Sequence, residues 1–264
     1  MTEQPLSIAT WNVNSIKARL VNVTDWLGSA RPDIVLLQEL KCEESGFPHL
    51  EIEALGYQAI VVGQKSYNGV ALLSRHPAED VITVLPGDDT DTQSRYVEAT
   101  VAGVRVASLY LPNGNPVGTD KYRYKHAWMD RLAAHMAALL ETEQPVVLGG
   151  DYNVIPEPRD CYNPAAWRDD ALFRLETRAA YRRLLNLGYT EAYRALHQDK
   201  GAYTFWDYQQ RAWDLDNGIR IDHFLLSAQA ADRLTDCRID REPRGRQKAS
   251  DHTPVIVTLA PIAA

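Results

Sequence analysis

The sequence predicts an α/β (α+β) fold, a four-layered sandwich of two mixed, mainly antiparallel β-sheets packed face to face with helices on the outside. Three observations predict it. Strands, a helix and more strands fill the first half of the chain, and the second half repeats that mixture. Between residues 57 and 111 the strand patterns adjoin without intervening helices, which implies antiparallel pairing. Hydrophobic residues make up 45% and charged residues 24%, near globular averages, so a sizeable core is expected. With no repeat, low-complexity segment or linker, residues 1–264 read as a single domain.

Taken in order, residues 6–10 alternate as a strand that stops at Trp11, Asn12, Val13 and Asn14. Ser15 is expected to cap a helix over 16–27, with Ile16, Leu20, Val23 and Leu27 on one face. Ile34, Val35, Leu36 and Leu37 form a buried-strand signal ending in Gln38 and Glu39. A surface-like segment over 42–56 follows. Strands are then predicted over 57–62, 69–74, 81–85, 96–101 and 104–111, the last stopped by Pro112 and Gly114. A long amphipathic helix over 119–141 buries Met129, Leu132, Met136, Leu139 and Leu140.

Val146, Val147 and Leu148 read as a buried strand running into Gly149 and Gly150, where the glycines are expected to turn the backbone and project Asp151 and Asn153 together. The same Asp and Asn also suit a simple Asx turn. Beyond lie a proline-rich loop, a helix over 172–187 closed by Gly188, an aromatic cluster over 203–206, and a strand over 219–227 that carries Asp222 among apolar residues. A charge in such a run wants a partner. Ser250, Asp251 and His252 precede a final strand over 254–259.

Met1 to Pro5 show no basic segment followed by an apolar one, and no apolar run approaches the roughly 18 residues of a membrane helix, so a cytoplasmic protein with no membrane partner is expected. Cys42, Cys161 and Cys237 lack paired spacing and read as free, buried thiols. A net charge of −7 argues against a general nucleic-acid coat but leaves local basic runs, Lys121 to Lys125 and Arg241 to Lys248.

The polar residues recur at strand ends: Asn12, Asn14, Glu39, Tyr110, Asn113, Asp151, Asn153, Asp222, Asp251 and His252. Hard cations such as Mg²⁺ take oxygen ligands together with substrate phosphate oxygens, which Glu39 and Asp251 suit. In-line attack of water on a phosphodiester needs a positioned carboxylate and positive charge near the phosphate, which Asp151 and His252 suit. An aspartate beside the histidine fixes its tautomer, a reason for buried Asp222. Each also has a plainer reading: a packed histidine, a surface Glu39, a core Tyr110.

The motifs Trp11-Asn12-Val13-Asn14 through Arg19, Leu37-Gln38-Glu39, Tyr110-Leu111-Pro112-Asn113-Gly114, then 149–153, 203–208, 218–227 and 250–255, resemble exonuclease III and the related apurinic/apyrimidinic endonucleases of the endonuclease/exonuclease/phosphatase superfamily, in order and approximate spacing. The resemblance implies that Glu39 binds Mg²⁺, with Mn²⁺ a substitute, and that Asn12 and Asp251 lie close to the metal. Asp151 would activate the water, and Asn153 would help hold it and the phosphate. His252, oriented by Asp222, would neutralise that phosphate, with Tyr110 and Asn113 on the same group. Asn14 stands where some relatives have aspartate. Phe205, Trp206, Ile219 and Ile221 match positions lining a pocket for a base-free sugar. The implied partner is double-stranded DNA with abasic sites or damaged 3′ ends, met by a monomer of compact bacterial type near the nucleoid. The basic runs would then touch few phosphates and give a shallow salt dependence. A phosphatase or phospholipase of the same superfamily is the competing reading; 110–114 and 203–227 favour DNA.

Overall fold

The computed structural model describes residues 4–261, so Met1 to Glu3 of the start inspected above lie outside the described residues. In chain order the elements are β1 (Leu6–Asn12), α1 (Leu20–Ala30), β2 (Ile34–Gln38), α2 (His49–Glu53), β3 (Gln58–Val62), β4 (Val70–Ser74), β5 (Ala78–Ile82), β6 (Tyr96–Val101), β7 (Val104–Tyr110) and α3 (Asp120–Leu140). There follow β8 (Val146–Asp151), α4 (Pro164–Trp167), α5 (Leu175–Asn186), β9 (Thr190–Glu191), α6 (Ala192–Leu196), β10 (Asp222–Leu226), α7 (Ala228–Ala231), β11 (Leu234–Ile239) and β12 (Val255–Leu259).

Two six-stranded sheets result, ordered β11-β12-β1-β2-β4-β3 and β5-β6-β7-β8-β10-β9. Each is antiparallel except for one central parallel pair, β1 with β2 and β7 with β8, and each pair is crossed by a helix, α1 or α3. Inward residues of both sheets, Ile8, Ile34, Leu36 and Leu72 from one and Val97, Val106, Val147 and Phe224 from the other, share one apolar core. The outer faces are covered separately. Val23, Trp26 and Leu27 of α1 lie on the first sheet, and Trp128, Met129, Leu132 and Met136 of α3 lie on the second. The predicted sandwich is the observed one, because strand alternation and helix periodicity each leave one apolar face that only another layer can bury.

Several boundaries differ from expectation. Helix α1 begins at Leu20 rather than at residue 16, and Ser15 does not cap it. Asn14 and Ser15 have φ of 45° and 87°, and the N–H groups of Ser15 and Ile16 donate to the Glu39 and Leu40 carbonyls at 2.7 and 3.2 Å. Those bonds tie the chain to the end of β2. The segment after residue 42 buries Cys42, Phe47 and Ile52 and contains α2, so it is not merely surface. Strand β5 lies three residues early because Leu85 turns under α3 instead of pairing. Strand β11 was not foreseen; as an edge strand it alternates exposed polar residues such as Thr235 and Arg238, which hides its pattern.

The largest correction concerns Gly149 and Gly150. Both lie inside β8, which continues to Asp151, and neither turns the chain. They are needed for close approach. A Cβ on Gly149 would collide with the Phe224 ring and come within 2.8 Å of Leu36 Cδ1 of the facing sheet, and a Cβ on Gly150 would collide with the Leu109 carbonyl of β7.

Candidate active site

Register alone assembles half the site. In the second sheet Tyr110 pairs with Asp151, and Asp151 with Asp222, so three adjacent strands bring these residues side by side. In the first sheet Asn12 pairs with Gln38, and Glu39 follows in the left-handed region at φ 53°. Asn12 then joins the sheets: its amide Nδ2 donates to Glu39 Oε1 and to Asp151 Oδ2, each at 2.9 Å. Tyr110 adds a second link, its hydroxyl donating to Glu39 Oε1 at 2.8 Å.

His252 enters from the segment before β12. Its Nδ1 lies 2.8 Å from Asp222 Oδ2, its Nε2 3.7 Å from Asp151 Oδ2, and the Phe205 ring meets it edge-on at 5.0 Å. Ser250 Oγ donates to the Asn12 carbonyl at 2.7 Å and accepts the His252 N–H at 3.2 Å, which locks the segment onto β1. Burial alone would lower the His252 pKa, but the Asp222 and Asp151 carboxylates outweigh it and hold it up to about 10. At neutral pH the ring is therefore a cation.

The two central carboxyl groups go opposite ways. Asp151 is 1% exposed, and burial, reinforced by Asp222, raises its pKa to about 7 against the lowering by His252. Burial also penalises the Glu39 carboxylate, yet Lys41, 2.9 Å away, together with Asn12 and His252, brings its pKa below the usual value. Burial holds the Tyr110 phenol well above its ordinary range, with Glu39 adding to the shift, so the hydroxyl stays a neutral donor.

Asp151 Oδ1 accepts the Asn153 N–H at 2.9 Å while Asn153 sits at φ 47°, so the Asx turn is part of the candidate site itself. Asn153 Nδ2 donates to the Leu111 carbonyl at 2.9 Å, and its Oδ1 accepts Asn113 Nδ2 at 3.1 Å. Beneath both loops lies Lys125. It is wholly buried on α3, and its Nζ donates to the carbonyls of Asn113 and Asn153 at 3.1 and 2.6 Å. This corrects the expectation that Lys125 belongs to a surface patch. Its spacing from Trp128, Met129 and Leu132 places it on the buried helix face, a periodic signal available in the sequence. Arg244 is likewise buried at 8% exposure, while Arg123 is exposed and paired with Asp120.

Asn14 Nδ2 donates to Asp251 Oδ1 at 3.0 Å, and its Oδ1 accepts Lys41 Nζ. Lys41 was missed by sequence reasoning, although it lies only two residues past Glu39. Phe205 and Ile219 line a small cavity together with Tyr162 and Trp167. Ile221 is buried in the apolar cluster that includes Ile219. Trp206 is a correction: it is fully buried against Tyr203 and Trp213, with Nε1 bonded to Asp216 at 3.0 Å, and does not line that cavity.

Glu39, Asp151 and His252 each direct a potential ligand atom inward, all within 4.8 Å of one another. His252, protonated, has no lone pair to give. The remaining donors are carboxylate oxygens, a set that fits a hard divalent cation and not a soft one. The three buried cysteines are free and take no part, and no helix of the described residues is long and apolar enough to cross a membrane.

The model of the Endonuclease/Exonuclease/phosphatase family matches residues 9–252. An exodeoxyribonuclease of Bacillus subtilis is 30% identical over 253 residues, covering 95% of this chain and 98% of its own. An AP endonuclease from Archaeoglobus fulgidus superposes with a TM-score of 0.92 at 36% identity, over 96% of this chain and 99% of its own. A 3′ phosphatase from Neisseria, solved with a product DNA hairpin, superposes with a TM-score of 0.93 at 38% identity and the same coverage. With 244 consecutive residues inside the family model and strand ends that converge on one acidic centre, this chain belongs to the Endonuclease/Exonuclease/phosphatase family.

Proposed function

We propose that the chain is a DNA repair nuclease that hydrolyses the phosphodiester 5′ to an abasic site in duplex DNA, leaving a 3′-OH, and that also trims 3′ ends as a 3′-to-5′ exonuclease and phosphatase. The observation that carries this reading is the opposite tuning of Asp151 and Glu39 around the shared Asn12 amide, with the His252 cation beside them. The AP endonuclease, exodeoxyribonuclease and 3′ phosphatase among its relatives favour the same substrate class.

In this reading Glu39 would hold Mg²⁺, or Mn²⁺ in its place, with Asn12 and Asp251 close by; Asp251 Oδ2 makes no hydrogen bond among the described residues. A cation bound there would supply charge neutralisation at the phosphate oxygens. Asp151, with a pKa near ambient pH, takes a proton from the water as its oxygen bonds to phosphorus; the bond to O3′ breaks, and the leaving oxygen takes its proton from solvent to become the 3′-OH. His252 gives Nε2–H to a phosphate oxygen while Asp222 keeps its Nδ1 side charged and fixed. Neutral Tyr110 and the Asn113–Asn153 pair orient the same phosphate. The cavity at Phe205 and Ile219 receives the base-free sugar, and exclusion of an intact base gives the selectivity. The protein works as a monomeric single domain in the cytoplasm, on DNA of the nucleoid.

The test is incubation with a duplex bearing one stable abasic analogue, with Mg²⁺ or with chelator. Incision on the 5′ side that needs the metal is the expected result. Its absence in both conditions overturns the reading.

A further inference from the structure

Beyond the catalytic centre, a groove is lined by Arg19, Tyr208, Arg244, Arg246 and Lys248, with Ala18 and Ala249. Four cations and no carboxylate line it, on a chain whose net charge is −7. Arg244 is only 8% exposed, and neither it nor Arg19 nor Lys248 pairs with a carboxylate among the described residues. Asp251, Asp207 and Asp214 act on Arg244 only from a distance, and a cation buried that far without a directly paired carboxylate is costly, which is the condition an arriving anion relieves.

The guanidinium groups are held in place by neutral partners. Arg244 Nη2 donates to the Trp206 carbonyl at 3.0 Å, and Arg19 Nη2 to the Tyr208 hydroxyl at 2.7 Å. Both stand over the Tyr208 ring, at 5.5 and 5.9 Å from its centroid. Among the described residues their Nη1 groups and the Nζ of exposed Lys248 make no hydrogen bond, so these donors are unused, while Arg19 Nε and Arg244 Nε are buried without a partner. Arg246 differs: Glu242 engages it at 2.8 Å and balances its charge, so it is not counted among the unpaired cations of the groove. The groove adjoins the site directly. Tyr208 OH accepts Asn14 Nδ2 at 3.3 Å, the same amide nitrogen that donates to Asp251, and donates to the Ala249 carbonyl at 2.9 Å.

We propose that this groove is a second phosphate site, in which Arg19, Arg244 and Lys248 grip a backbone phosphate of the bound DNA other than the one being cut. The inference rests on the nuclease reading and deepens it. Two held guanidinium groups and an exposed ammonium on one groove suit the oxygens of a phosphodiester. Such a contact positions the duplex and carries no base preference. It also concentrates the phosphate attraction of an acidic protein at one place beside the chemistry.

The experiment is equilibrium binding of a short duplex carrying one abasic analogue, in chelator, across a salt series. Arg244→Gln is expected to weaken binding about tenfold, and to lower the slope of log K against log salt by about 1. Because Arg244 also supports the Trp206 loop, the surface double variant Arg19→Gln/Lys248→Gln is measured beside it, with the same direction expected. Arg238→Gln, on exposed edge strand β11, removes one charge elsewhere and should leave the slope alone. Unchanged slopes in both groove variants, or an equal drop for Arg238→Gln, overturn the site. Incision by the unaltered chain is scored separately. Metal-dependent cutting with unchanged slopes removes the groove and keeps the nuclease; lowered slopes without cutting do the reverse.

Discussion

In each sheet a central parallel pair, β1 with β2 and β7 with β8, is crossed by a helix and delivers a carboxylate at its carboxyl end, Glu39 in one and Asp151 in the other. The surroundings then diverge. Glu39 sits just past its strand, 18% exposed at the side chain and paired with half-open Lys41, so it stays anionic and suited to a cation. Asp151 remains within its strand, faces Asp222 across the ladder and is sealed from water, so its proton is exchangeable near neutrality. Topology places the acids, whereas their neighbours set the opposite directions of their pKa shifts, on which the proposed division of roles rests.

The strongest way to break this contrast is to remove each acid isosterically. Asp151→Asn is expected to lower turnover by roughly 10²–10⁴, the range for losing a general base, with no recovery at higher Mg²⁺. Glu39→Gln should lose activity that added Mg²⁺ partly restores. A magnesium titration of both variants checks this; rescue of Asp151→Asn would exchange the two roles.

Next in size is the ion pair behind Asp151. Because the folded pKa of His252, about 10, exceeds its usual 6.5, its stabilisation is complete below about 6.5 and is lost as pH rises through about 10. Asp222→Asn removes the principal cause and is expected to cost about 3 kcal/mol near neutral pH. Denaturant unfolding across pH should show the gap between the two proteins closing toward pH 10. A constant gap would mean that Asp222 acts through packing alone.

The smallest effect is predicted at Lys41. Its side chain is about one-third exposed, so Lys41→Gln should change stability by less than about 1 kcal/mol. It should still let the Glu39 pKa rise, moving the acid limb of the activity profile to higher pH. A limb that stays in place would detach Lys41 from the tuning of Glu39.

Much of this was legible in the sequence for a simple reason: a polar residue ending an apolar run marks a strand end, and strand ends are where this site is built. Asn12, Glu39, Tyr110 and Asp151 were found that way. What escaped depends on partners distant in sequence. Lys41 gains meaning only from a turn at φ 54° that folds it back on Glu39. Arg244 looked like solvated charge because composition cannot reveal that the Trp206 carbonyl awaits it, whereas Lys125 sits on a helix face whose period was readable and only its carbonyl partners were not. The polar edge strand β11 and the short helices lacked enough apolar period to register.

Gly149 carries one more consequence. Its missing methyl lets Leu36 of the opposite sheet and the ring of Phe224 close over the strand, two residues before Asp151. The gap between the sheets is also the gap that Asn12 spans from Glu39 to Asp151. The absent side chain thus works as a spacer gauge for the reaction centre. A single added carbon there would widen the interval between the Glu39 and Asp151 carboxylates without altering either of them or the Asn12 amide between them.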